Sequence, residues 1–251
     1  MKKYSVILLI FIITFAFSCQ KEQQTTQTAI EKSSPQTALF DSAGSIKVYD
    51  PLRYLIGETD SAHSYWEITL TDIAKYHGKV CPGIATGFYM FKDVIKQLYP
   101  DTQMPIRGQV AVACSRPNDM LDVAGFVFGI RNFYGRGELG HGMLVYDTTL
   151  APVKVPKQFV MVFKRLDNGK AVKVIFNKYN LMPQDKWQFI DSVLHAFKHH
   201  GFASGEAAEE FRNLVHNEVI HVLRNGPRKG VYEIKPCTQY KFPFEKDSDK
   251  E

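Results

Sequence analysis

The chain has 251 residues, 45% of them hydrophobic and 23% charged, the balance of an ordinary globular protein long enough for one full core. Its formal charge is +5, and Lys2 and Lys3 fall in a segment expected to be removed, which leaves 5 − 2 = +3. So small an excess, with no Lys/Arg run interleaved with aromatics, argues against nucleic acid as a partner.

Met1-Lys2-Lys3 leads into an apolar stretch from Tyr4 to Phe17 that ends Ala16-Phe17-Ser18-Cys19. A positive start, a short apolar centre and small residues ahead of a cut are the parts of an export signal. The stretch is shorter than the roughly 20 apolar residues that a membrane-spanning helix needs. Residues 1–18 are therefore expected to leave as a signal peptide. Ala16 to Cys19 resembles a bacterial lipobox, which makes Cys19 the expected first residue of the mature chain and the attachment point of acyl groups such as palmitate. This predicts a place in the cell envelope, lipid-anchored to the outer membrane on its periplasmic or surface-exposed side, with the membrane as a partner through the anchor. Residues 19–38, rich in Gln, Thr, Ser, Glu and Lys, have little to bury and read as a flexible tether.

The body runs from near Leu39 to near Phe244, and the charged tail at 245–251 is expected to fray. Leu39 to Gly57 reads as irregular, with an edge strand at Ile46–Tyr49 before an Asp50-Pro51 turn. Thr71–His77 predicts a short helix stopped by Gly78. Pro82 then opens a stronger helix whose apolar stripe is Ile84, Phe88, Phe91, Ile95 and Leu98, ending at Pro100. Gly83 and Gly87 interrupt it and predict the close approach of a neighbouring backbone. Gln109–Ala113 reads as a strand that delivers Cys114, and Asn118 as the cap of a helix with Asp119 in its first turn and Leu121, Ala124, Gly125 and Phe128 facing inward. Arg131–Gly142 is a glycine-rich loop. Met143–Asp147 is a strand, and Phe159–Arg165 with Ala171–Phe176 forms a hairpin around Asp167-Asn168-Gly169. One late helix carries Trp187, Ile190, Leu194 and Phe197, the next carries Phe211, Val215, Val219 and Val222, and Lys229–Lys235 is a last strand. The fold class expected is α+β: a central mixed or antiparallel sheet with packed helices and a helical C-terminal extension. Residues 39–180 form the core domain, and 181–244 a two-helix extension on the same body.

Removing Cys19 leaves Cys81, Cys114 and Cys237, so in an oxidising compartment at least one is free, metal-bound or paired outside the chain. Cys81 precedes Pro82 at a helix start, where unpaired N–H groups and the positive helix end favour a thiolate. His77 lies four residues before it. A thiolate and an imidazole suit zinc, and Cys114 at a strand end falls along the sheet edge where α/β sites gather. A Cys81–Cys114 disulfide is the structural alternative. His141, after the glycine loop, is a candidate further ligand, and Asp119 and Asp122 are candidate proton-handling carboxylates. His195, His199, His200, His216 and His221 read as surface histidines among Lys198, Glu209, Glu210 and Glu218. Cys237 reads as a small hydrophobe or a latent disulfide partner rather than a ligand.

Tyr76-His77-Gly78-Lys79-Val80-Cys81-Pro82-Gly83-Ile84-Ala85-Thr86-Gly87 resembles the signature that opens the conserved domain of FmdE-like proteins, a family named after formylmethanofuran dehydrogenase. Cys114, an acidic residue at Asp119 or Asp122, the loop Gly135-Arg136-Gly137-Glu138-Leu139 and the turn Gly169-Lys170 before Val172–Phe176 follow the same pattern over about Asp72–Asn177. The resemblance implies an α+β domain that binds a metal through His77, Cys81 and Cys114. It does not imply the named reaction, which is cytoplasmic. Cys237 stands alone, so the cysteine-rich ribbon of some members is absent. The expected metal is zinc, with iron or haem next. The expected role is an envelope-anchored protein that binds or carries a metal or metallo-cofactor. The alternatives are a metal-dependent enzyme with an open coordination position and a structural protein with a Cys81–Cys114 disulfide. A homo-oligomer is compatible with either.

Overall fold

The computed structural model describes residues 35–130, 144–151, 155–201, 205–243 and 245. The expected signal peptide, Cys19, most of the tether, the glycine loop with His141 and the tail beyond 245 lie outside the described residues.

The segment expected to be irregular is built of short regular pieces. Helix α1 covers Pro35–Asp41, strand β1 Ser45–Tyr49 and helix α2 Pro51–Leu55. The Asp50-Pro51 pair opens α2: the Asp50 carboxylate accepts from the Leu52 N–H, and Pro51 takes the first helical position, where its missing N–H costs nothing. β1 pairs antiparallel with β2 (Tyr65–Thr69) as a separate two-stranded sheet, Ser45 opposite Thr69 and Tyr49 opposite Tyr65. Helix α3 (Leu70–His77) follows β2 without a gap, because Thr69 and Asp72 form a reciprocal capping box. Gly78 ends it at φ 90°, a left-handed conformation that glycine adopts without strain.

Helix α4 (Pro82–Leu98), strand β3 (Val110–Cys114) and helix α5 (Met120–Phe128) come next. They are followed by strand β4 (Leu144–Tyr146), the hairpin β5 (Gln158–Arg165) and β6 (Ala171–Asn177), helices α6 (Trp187–His200) and α7 (Glu206–Asn225), and strand β7 (Tyr232–Pro236). The main sheet has five strands in the order β4-β3-β5-β6-β7, with β3 and β4 parallel and every other pair antiparallel. The fold is α+β with a mixed sheet, as the pattern predicts.

From Leu39 onward the chain forms one compact unit. Helix α4 runs through it, with Ile84, Phe88, Phe91, Val94 and Leu98 fully buried. Phe91, Phe128 and Phe163 meet with ring centroids 5.4–6.1 Å apart, joining α4, α5 and β5. The reverse face of the sheet is covered too: Ala111, Ala113 and Val162 pack with Phe242 and Cys237. Burial on both faces explains why Val110–Cys114 is an unbroken apolar run rather than an alternating one.

Two local expectations are corrected. What approaches α4 at its glycines is a side chain, not a backbone: a Cβ on Gly87 would lie 2.2 Å from the Met120 sulfur, and one on Gly83 3.3 Å from the Met120 methyl. The stripe on α6 is buried only at its first half, since Ile190 is 3% exposed while Leu194 and Phe197 are 48% and 53% exposed.

Candidate metal centre and the adjoining cleft

His77 is the last residue of α3, and Tyr76 beside it packs on Phe126 of α5 with centroids 5.3 Å apart. Asp122 lies one helical turn before Phe126, so the same contact brings its carboxylate to the imidazole. His77 Nδ1 and Asp122 Oδ2 are 2.6 Å apart, with the His77 side chain 8% exposed and that of Asp122 46% exposed. The other ring nitrogen, Nε2, is buried and has no hydrogen-bond partner among the described residues. A buried polar atom left without a partner costs on the order of 1–3 kcal/mol. An imidazole fixed through one nitrogen by a carboxylate, with the second nitrogen presented bare, is the arrangement of metal-ligating histidines.

Cys81 caps α4, its sulfur accepting from the Ile84 N–H at 3.5 Å. Cys114 ends β3 fully buried. Its thiol donates to the Arg116 carbonyl at 3.0 Å and accepts from the Asn118 amide at 3.1 Å. Burial pushes the Cys114 thiol pKa up. The Asn118 carbonyl oxygen in turn accepts from the Met120 N–H, so Asn118 holds both the thiol and the first residue of α5, although the cap position falls to Asp119 and not to Asn118 as expected. Asp119, at the cap position, makes no capping bond.

The structure therefore brings His77 and Asp122 into contact and places Cys81 and the β3–α5 loop along one edge. Among the described residues no three His, Cys, Asp or Glu side chains gather into a group that would hold a metal ion. His141 lies outside them. Cys81, Cys114 and Cys237 are all free thiols, without the Cys81–Cys114 bridge of the structural alternative. The donors present, an imidazole nitrogen without a partner among the described residues and two free thiols, are of the types that suit zinc. His195 and His199 lie side by side on the exposed face of α6 with rings tilted and centroids 4.3 Å apart, as surface histidines.

A cleft of about 650 Å³ opens beside Cys81, between the start of α4, the β3–α5 loop and the two late helices. Sequence patterning missed it, because its far wall comes from residues a hundred positions away. Gly83 and Met120 form its floor next to Cys81, with the Met120 methyl and the Cys81 sulfur 3.3 and 3.5 Å from the place a Gly83 side chain would fill.

Residues 76–229 match the family described as FmdE, Molybdenum formylmethanofuran dehydrogenase operon. The match begins at the Tyr76-His77 motif and runs on through α6 and α7, past the point at Asn177 where recognisable motifs end. No curated protein and no solved structure is significantly similar to the chain. With the matched span exceeding half its length and opening on the histidine whose Nε2 is left bare, the chain belongs to the FmdE family.

Proposed function

We propose that this is an envelope-anchored protein that binds or carries a metal, zinc in first place and iron or haem behind it, held by His77 with Cys81 and Cys114 and with His141 as a candidate fourth donor. The observation that carries the reading is the His77 pair: Nδ1 held by Asp122 at 2.6 Å, Nε2 buried and unpartnered. Asp122 then positions the ligand. It is not a free base. Family membership supports a metal-associated role, and the anchoring rests on the signal and lipobox pattern ending at Cys19. Among the described residues no helix is long and apolar enough to cross a membrane.

Metal content and free-thiol count on the mature chain test this. Near one equivalent of metal is expected, lost or sharply weakened in His77→Ala, Cys81→Ala and Cys114→Ala. Asp122→Asn is expected to keep the site and weaken it by about 10–100-fold, the usual effect of removing a carboxylate behind a ligating histidine. Metal content unchanged in the His77 and cysteine variants would sink the proposal, as would two missing thiols without metal.

A second reading, a metal-dependent enzyme, is favoured by the cleft that reaches Cys81. A metal with an open position supplies Lewis acidity or an activated water. With Asp122 committed to His77, Asp119 at the cleft edge is the carboxylate left to handle a proton.

A further inference from the structure

We infer that the cleft beside Cys81 is a binding site for a small amphiphilic anion, a molecule with an apolar body and one anionic head. Its volume, about 650 Å³, falls within the range of small-molecule sites. Its far wall is apolar, with Leu181, Met182, Trp187 and Ile190 facing Phe211 and Val215 of α7. Its charged residues are unequal in sign: Lys79, Arg116, Lys157 and Lys178 against Asp119.

These cations are not spoken for equally. Lys157 pairs with Asp191 and lies over the Trp187 ring at 4.3 Å, so it belongs to the wall. It is also the one described non-glycine residue with a positive φ, 54°, a conformation disfavoured for a side-chain-bearing residue. The Trp187 indole is fixed from its other end, its N–H donating to the Tyr179 carbonyl at 2.8 Å. The wall is thus preorganised, which lowers the ordering cost of binding. Arg116, Lys178 and Lys79 form no ion pair among the described residues and line the same cleft as the apolar wall. Cations without an ion-pair partner among the described residues, in one cleft with an apolar wall, favour an anionic head with an apolar tail. A neutral apolar molecule would leave the cations without a partner, and a cation would be repelled.

The cleft meets the proposed metal site at Cys81, the one lining residue that is also a proposed ligand. The test uses octanoate as probe on the full mature chain, with 1-octanol and octyltrimethylammonium as matched neutral and cationic controls, read by titration calorimetry. Trp66→Phe leaves Trp187 as the sole tryptophan, so its emission reports whether the probe enters the cleft. Saturable one-site binding of octanoate with a shift in Trp187 emission is expected, about ten-fold tighter than octanol. Arg116→Gln and Lys178→Gln are each expected to weaken it several-fold. Wild type under chelator should bind octanoate as tightly as it does with zinc, which separates this site from the metal reading. Equal affinity for octanol, no saturation, indifference to both cation variants, or loss under chelator would each overturn the inference.

Discussion

By propensity alone Gly87 is a defect in α4, since alanine in a helix interior is worth up to about 1 kcal/mol over glycine. Its surroundings reverse the sign. A Cβ there would sit 2.2 Å from the sulfur of Met120, which is 1% exposed at the start of α5. Gly87→Ala is therefore expected to destabilise the protein by roughly 1–3 kcal/mol, the usual cost of overpacking a core. In a Met120→Ala background the same substitution should be neutral or stabilising. Denaturant melts of the four proteins in that cycle check it, and additive effects would mean that the two residues do not meet. The pair also sets the floor of the cleft, so the glycine that looked like a weakness is what lets the β3–α5 loop lie against the start of α4.

Arg165 does for two elements what Met120 does for two residues. It is 4% exposed, bonds both oxygens of Asp167, donates to the Leu98 carbonyl at 3.2 Å and lies 4.1 Å from the Tyr99 ring. The turn of the β5–β6 hairpin is thereby tied to the end of α4. The Arg165 guanidinium holds the Asp167 carboxyl below its ordinary pKa of 3.8. A carboxyl whose folded pKa is depressed stabilises fully above the unfolded value and loses that contribution as pH falls through the folded one. Asp167→Asn is thus expected to lower the melting temperature at neutral pH, with the gap to wild type closing below about pH 3.8. A gap constant down to pH 2.5 would mean the charge is idle. At this level the sequence was readable where the signal is local. Asp167-Asn168-Gly169 marked the hairpin, Pro82 the start of α4, and Gly78 the end of α3. β2 was not readable, because Tyr65–Thr69 pairs with β1 and runs straight into α3 with no turn residue between them. The α6 stripe had the right period, yet periodicity does not say how far the covering body extends, and Leu194 and Phe197 lie beyond it. His77 and Cys81 stood out from their spacing, whereas the His77–Asp122 contact joins residues 45 apart and exists only once α3 packs on α5.

The candidate centre draws on three pieces of chain that meet only in the folded state: the end of α3, the start of α4 and the β3–α5 loop. A metal held there binds the native chain and not the unfolded one, so its binding free energy appears as folding free energy. At a free concentration about a thousand times Kd the gain is about 4 kcal/mol. For a body of this size each kcal/mol moves the melting temperature by about 2–4 °C, so zinc should raise it by about 8–16 °C over the chelated protein. The bare His77 Nε2 sharpens the comparison. In the metal-free protein it is a buried atom without a partner, and His77→Ala removes that burden together with the ligand. His77→Ala is therefore expected to melt close to the chelated wild type and to show no response to zinc. Calorimetric melts of both proteins, with zinc and with chelator, decide it. A variant that still gains the full increment would place the metal elsewhere, and a wild type that gains nothing would leave the orphaned nitrogen as strain without a purpose.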